Sequence, residues 1–379
     1  MGVALSILGP SVSYLEDRLA VGAGAIGILF ASSAVGNFVG AMLGGRWIET
    51  IGGHATLNVG VVGFVAGVMC IAAGSHYWLV LAGVTLVGAA TGAADAGMNT
   101  MVVWARVGKA GPALNALHLM FGIGALLAPL AVDRSLAWSD DLWLVAALVT
   151  VLGVVSASSI MRHEAPSSPT AEDHVERPPL NNTVTAVVAF FFLLYVGAEI
   201  GFGGWIFTYA EDAGLEGSRP ALVTATFWGA FAIGRLLAIP VNRVVRPVTI
   251  VVTSCSLSVV ALGTMVVADG VRWSVWIGAA IYGLSAGPQY PTMIALVDAR
   301  LSLTAKATAW IVGAAAIGAL IVPTGIGPLI DASGSSTMPK VVLGVSAAGL
   351  VWSFVVARVI NRAINRASAP DRTDVLRPA

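Results

Sequence analysis

Eleven stretches of twenty or more largely apolar residues follow one another along the chain, near 23–44, 55–74, 77–104, 113–132, 142–161, 183–210, 221–241, 248–267, 272–295, 304–327 and 340–360. A helix needs about 20 such residues to cross ~30 Å of hydrocarbon, so each stretch predicts one membrane crossing. The opening segment MGVALSILGPSVSY predicts a twelfth, although about 14 residues fall short of a full span. It lacks the basic region and small-residue cleavage site of a signal peptide and runs straight into YLEDR, so it reads as a retained first helix whose upstream part is missing. Charged residues make up only 11% of the 379, against roughly a quarter in soluble domains, and the chain is expected to be an all-α polytopic membrane protein.

The longest polar break, MRHEAPSSPTAEDHVERPPLNN, is rich in proline, serine and charge and divides the spans six and six. The expected organisation is an N-terminal six-helix bundle over 1–161, a linker over 162–182, a C-terminal six-helix bundle over 183–361 and a disordered tail over 362–379. A single twelve-helix bundle with one long loop is the alternative. Of the 20 basic residues, 14 fall in the loops sharing a side with the linker and tail and 5 in the opposite loops, with Arg235 inside a span. The positive-inside rule then puts linker and tail in the cytoplasm of a cell (inner or plasma) membrane protein. Formal net charge is zero, which gives no sign of a nucleic-acid partner. Cys70 and Cys255 both lie in apolar runs, where a thiol more often packs as a small hydrophobe than ligates a metal.

Ionisable groups at mid-membrane cost about 2.5–3.5 kcal/mol on insertion scales, so each is a functional candidate. In the fourth span, Gly88, Gly92, Asp95 and Asn99 form one helical stripe, with small residues for close approach and then a carboxylate and an amide. Asn99 alone would serve a structural hydrogen bond. The fifth span carries Asn115 and His118 on one face; the imidazole suits a proton relay, or equally a neutral hydrogen bond to a solute or neighbouring helix. In the seventh, Tyr195, Ala198, Glu199, Phe202, Trp205 and Tyr209 share an arc of roughly 120°, an acid framed by aromatic rings. Plain packing explains such arcs more often, but packing does not require Glu199. The tenth span contains GLSAGPQYPTM, whose Gly287, Pro288 and Pro291 break the helix beside Gln289 and Tyr290, as happens where backbone lines a cavity or protein. Gln289 is a substrate contact or part of a structural kink. Trp310, in a span dense in glycine and alanine, is a further candidate for the cavity.

Twelve spans split six and six resemble the major facilitator superfamily. The loop after the second span, GGRWIETIGG, is similar to that family's cytoplasmic signature, with Gly45, Glu49 and Gly52 at the matching positions and Thr50, Gly53 and His54 where the family has basic residues. The resemblance implies a gating role for these three, and for Arg235 in the looser echo GRLLAIPVNRVVRP after the eighth span. YVGAEIGFGGWIFTYAED, GAADAGMNT, ALHLMFGIGALLAPL and GPQYPTM resemble the fucose, galactose and glucose:proton symporter branch and its sodium-dependent glucose transporter-like relatives. That likeness implies proton coupling at Asp95. Symporters of the branch often carry a second acid in the first span; residues 1–15 have none, which leaves Glu199 as the second titrating group.

The expected protein is thus a monomeric secondary transporter, not an enzyme, moving a small polar solute, most simply a sugar, by alternating access coupled to a proton or sodium ion. Its partners are that solute, the coupling cation and membrane lipids. Proton coupling falls to Asp95, Glu199 and His118. Solute binding falls to Asn99, Asn115, His118, Glu199, Trp205, Tyr209, Gln289, Tyr290 and Trp310. No cofactor is expected, and the phosphate-cradling GxxxxGK[ST] loop of ATP-driven pumps is not found. A proton-coupled exporter of drugs or metabolites and a non-transporting receptor or scaffold are the rival readings.

Overall fold

The computed structural model describes residues 2–105, 110–162, 182–298 and 305–367, and among them every regular element is helical. The chain opens with α1 (Gly2–Ser6), a tight turn at Gly9–Ser11 and α2 (Val12–Leu19). Then come α3 (Ala23–Thr50), α4 (Gly53–Ala73), α5 (Tyr77–Ala105), α6 (Ala110–Ser139) and α7 (Trp143–Met161). After the linker follow α8 (Asn182–Asp212), α9 (Arg219–Val244), α10 (Pro247–Val267), α11 (Arg272–Ala286), α12 (Gln289–Asp298), α13 (Ala305–Ser333) and α14 (Thr337–Ala367).

Among the described residues, ten helices are long and apolar enough to cross a membrane. The first and tenth expected spans account for the difference, because each is built from two shorter helices. Pro10 interrupts the first. In the tenth, Pro288 and Pro291 lack amide hydrogens, and the break falls at 287–288 between α11 and α12. Gly2 lies against the Phe121 carbonyl and Ala125, about halfway along α6. Residues 2–15 therefore lie in the half of the membrane away from the linker, here called the far side, and Glu16, Asp17 and Arg18 stand at the surface beyond them.

In lipid no hydrophobic force distinguishes helix from hydrocarbon, so helices associate where small residues let backbones touch. The sequence supplies such seams in matching places. Gly36, Gly40 and Gly44 on α3 meet Thr85, Ala89 and Ala93 of α5, while Gly88 and Gly92 on α5 meet Ser33 and Asn37 of α3. Six spans later Gly234 on α9 meets Leu284 of α11, and Gly283 and Gly287 meet Phe227 and Phe231 of α9. The packing of α4 on α5 and α7 is likewise repeated by α10 on α11 and α14. The result is two six-helix bundles with related internal packing. Between them α3 packs on α13 and α6 on α9, again equivalent pairs.

A methyl group at Gly40 would strike the Ala89 carbonyl, so Gly40→Leu cannot be absorbed without separating α3 from α5. Overpacking of this kind is expected to cost about 3 kcal/mol or more. Loss of the monodisperse peak in fluorescence-detected size-exclusion chromatography would report it; Gly45→Leu, with nothing within 4 Å, should run as the parent does.

The bundles meet differently on their two sides. On the far side a Cβ at Gly27 would lie 2.9 Å from the Thr324 carbonyl, Gly327 abuts Ala23, and Gly9 of the first span abuts Gly203 and Gly204 of α8. Toward the linker side, α5 makes no extended packing with α12 or α13 among the described residues. The space between the bundles is closed at the far side, and among the described residues Asp95 on α5 is exposed toward it.

Candidate functional site

Asp95 sits near the middle of α5 and is solvent-accessible although its helix spans the membrane, as expected of a group on the wall of an open cavity. Asn99, one turn on, donates its side-chain amide to Asp95 Oδ1 and to the Asp95 carbonyl, both at 2.9 Å. Asn99 thus spends its donors holding the carboxylate in place.

The opposing wall comes from the C-terminal bundle. Glu199, midway along α8, is 5% exposed, and the hydroxyl of Tyr195 one turn earlier lies beside it. That hydroxyl is buried and meets no partner at hydrogen-bonding geometry among the described residues. Tyr195 leads to an aromatic wall: its ring stacks on Phe191 at 6.3 Å, and Tyr290 at the start of α12 lies 6.3 Å from Tyr195 and 4.7 Å from Phe192.

Arg235 on α9 completes the site. Its guanidinium lies 4.4 Å from the centroid of Phe231 on its own helix and 5.9 Å from Phe121 on α6 of the other bundle. Its positive charge acts on both Asp95 and Glu199, and Tyr290 feels all three groups. Among the described residues it forms no ion pair with either acid, and its Nε is buried without a hydrogen-bond partner. That Nε is therefore free of acceptors among the described residues and can donate to a solute oxygen that enters the cavity. Counted with both carboxyls ionised, Asp95, Glu199 and Arg235 sum to −1.

The other sequence candidates are distributed less uniformly. Gln289 is buried in the C-terminal bundle rather than on the wall: its amide donates to Ser258 Oγ at 3.0 Å and the Ser285 carbonyl at 3.2 Å, and its oxygen accepts from Cys255 at 3.4 Å. It fastens the break in the tenth span to α10 and lines a small cavity with Tyr195 and Tyr282. Trp205 is fully buried, with its indole N–H on the Pro323 carbonyl at 2.9 Å and its ring 5.5 Å from Phe30. In this form it packs α8 against α13 and α3 on the far side, away from Asp95 and Arg235. Tyr209 is buried near the far end of α8, with its hydroxyl on Asp269 at 3.1 Å. Trp310 is 64% exposed, on the helical face shared with exposed Ile317 and Ile321, without a polar partner among the described residues. The side chains of Asn115 and His118 lie outside the described residues.

The gating set also divides. Gly45 and Glu49 are exposed at the linker end of α3, and Gly52, at φ 87°, makes the turn into α4 in a conformation that favours glycine. Glu49 has no polar or ionic partner among the described residues. Arg235 is not at a loop at all but nine residues inside the linker end of α9, facing the cavity. The argument applied to Asp95, a charge inside an apolar span, makes Arg235 a candidate equally well.

Comparison with known proteins agrees with this architecture. The sequence model described as Major Facilitator Superfamily matches residues 1–323. Sodium-dependent glucose transporter 1A of Mus musculus is 28% identical over 368 residues, covering 87% of each chain. Sodium-dependent glucose transporter 1 of Xenopus laevis is 26% identical, covering 99% of this chain and 84% of its own. Among solved structures, a point mutant of the nucleoside transporter NupG superposes with a TM-score of 0.72 over 94% of this chain and 96% of that one; at 13% identity the likeness concerns the fold alone.

Proposed function

The chain belongs to the Major Facilitator Superfamily of membrane transporters, and we propose that it carries a sugar by alternating access, coupled to one monovalent cation per cycle. The observation that carries this reading is Arg235, unpaired between Asp95 and Glu199 beside an aromatic wall. A sugar presents hydroxyl oxygens to a guanidinium, hydroxyl hydrogens to carboxylates and an apolar face to aromatic rings. A lipophilic cation would gain from the rings and acids but would have to share the cavity with Arg235, which disfavours the exporter reading. The names of the relatives, sodium-dependent glucose transporters, point the same way.

The charge count suggests the coupling. With Asp95 and Glu199 ionised the walls carry −1, and closing a net charge away from water is costly. One proton or sodium ion at Asp95 neutralises the set, so the occluded form is reached readily only when cation and solute are both aboard. By the distribution of basic residues the linker side is cytoplasmic, which makes the closed far side the external one.

Thermal unfolding of the detergent-purified protein against a panel of hexoses, deoxyhexoses, nucleosides and lipophilic amines tests the solute class. A sugar present at 100 times its Kd stabilises the folded state by about 2.7 kcal/mol, a shift of several degrees, and Glu199→Gln should remove the shift. Stabilisation by the amines and by no sugar would refute the assignment.

A further inference from the structure

A second cluster of polar contacts joins the bundles on the far side, well away from the cavity. Asp331, near the end of α13, accepts hydrogen bonds from the backbone N–H groups of Ala23 and Gly24 at 2.8 and 2.7 Å. These are the first amides of α3, whose preceding residue, Gly22, has no side chain to cap them. A carboxylate at a helix N-terminus meets both the free donors and the positive end of the helix dipole. Asp331 therefore supplies from one bundle the cap that the sequence of the other omits. Gly22 and Gly24 make room for it, since a Cβ on either would lie 2.9 Å from a carboxylate oxygen.

Ser13 on α2 makes the second link, donating its hydroxyl to Glu211 Oε2 at the far end of α8. Glu16, one turn further along α2, is half-buried within electrostatic reach of both links. The charged groups around it are nearly all of one sign: Asp17 on its own helix, Glu211 and Asp212 on α8 and Asp331 on α13. The neighbouring cations are turned elsewhere. Arg18 donates to the Tyr14 hydroxyl and the Ala72 carbonyl, Arg272 lies against Gly214, Arg219 is exposed at the start of α9, and Lys340 donates to Ser336.

We propose that this contact is a pH-operated latch, in which protonation at Glu16 holds the far sides of the two bundles together and its deprotonation releases them, independently of the acids in the cavity. Burial, and then the charges of Asp331, Asp17, Glu211 and Asp212, push the Glu16 carboxyl up to about 7 in the closed form. When the bundles part, three of those acids, Asp331, Glu211 and Asp212, withdraw with α13 and α8, and the carboxyl returns toward its ordinary value of 4.5. The closed form thus binds the proton more tightly than the open one. Its advantage is complete below the lower of these values and is lost as pH rises through the higher. Acidification outside would hold the far gate shut, and neutral pH would free it to open. The latch requires only that the bundles move apart and is independent of the solute assigned above.

Spin labels at Ser75→Cys on the N-terminal bundle and Ser218→Cys on the C-terminal bundle, both exposed on the far side, measure the separation directly by double electron–electron resonance. The background is Cys70→Ala, Cys255→Ser, in nanodiscs of neutral lipid without solute. The long-distance fraction is expected to grow at least about fivefold between about pH 5.5 and 8. Glu16→Gln should hold the short distance throughout, and Glu16→Asp should restore a titration, which separates loss of the proton from misfolding. The response should persist in Asp95→Asn, Glu199→Gln protein. A parent distribution constant over this range, a Glu16→Gln protein that titrates like the parent, or a response abolished by the cavity substitutions alone would each overturn the latch.

Discussion

Asp95→Asn is expected to abolish concentrative uptake while leaving solute exchange across the membrane within about tenfold of the parent. In the proposed cycle the carboxylate contributes the negative charge that the coupling cation must neutralise. The amide is neutral from the start, so the loaded cavity closes without a cation and the gradient no longer does work on the solute. For one proton per solute, a pH difference of one unit supports at most about tenfold accumulation, since each 1.4 kcal/mol is a factor of ten. The variant should stop at equal concentrations inside and out. Exchange survives because Asn retains an acceptor and can still bond Asn99. Counterflow and gradient-driven uptake, measured on one proteoliposome preparation, distinguish this uncoupling from simple loss of binding; retention of full accumulation would exclude Asp95 as the coupling site.

Arg235→Ala has the second large effect, and it acts on binding. Without the guanidinium the walls carry −2 rather than −1, the solute loses its strongest donor, and the two acids face each other across the cavity. Truncating one member of a buried charged set costs about 2–5 kcal/mol, or roughly 30-fold to more than 1,000-fold in affinity. Arg235→Lys should restore little of it, because a lysine ammonium cannot reproduce the planar contact at 4.4 Å from Phe231 or the forked donors. A counterflow KM rising at least about 30-fold in both variants is the expected result. Near-parental KM in the lysine variant would mean that the site needs a positive charge and not the guanidinium.

Hydropathy made the membrane spans legible because a span is defined by length and composition, both local. It located the break in the tenth span through Pro288 and Pro291, which forbid regular backbone hydrogen bonds wherever they occur. It placed Asp95 and Glu199 inside spans, where the structure puts them on facing bundles. It set Trp205 and Tyr209 on one face with Glu199, but a helical face records direction around an axis, whereas the surroundings of α8 change along it. Near Tyr195 and Glu199 that face meets the cavity, and two to three turns on it meets α13, α3 and Asp269. Asp331 escaped notice because its meaning lies in amides more than 300 positions away, brought near only by the closure of the far side.

Cation-coupled sugar transport through a cavity set by Asp95, Glu199 and Arg235 would appear as uptake of labelled D-glucose into proteoliposomes of the purified protein. An inward proton gradient, set with the exterior at about pH 8 and the interior more alkaline so that the far gate stays free, and an inward sodium gradient are imposed in separate experiments. The account predicts accumulation above the external concentration under one of the two, collapse of that accumulation when an ionophore dissipates the gradient, and none in Asp95→Asn vesicles. Uptake no greater than in empty liposomes under either gradient, with the related hexoses equally inert, would contradict it.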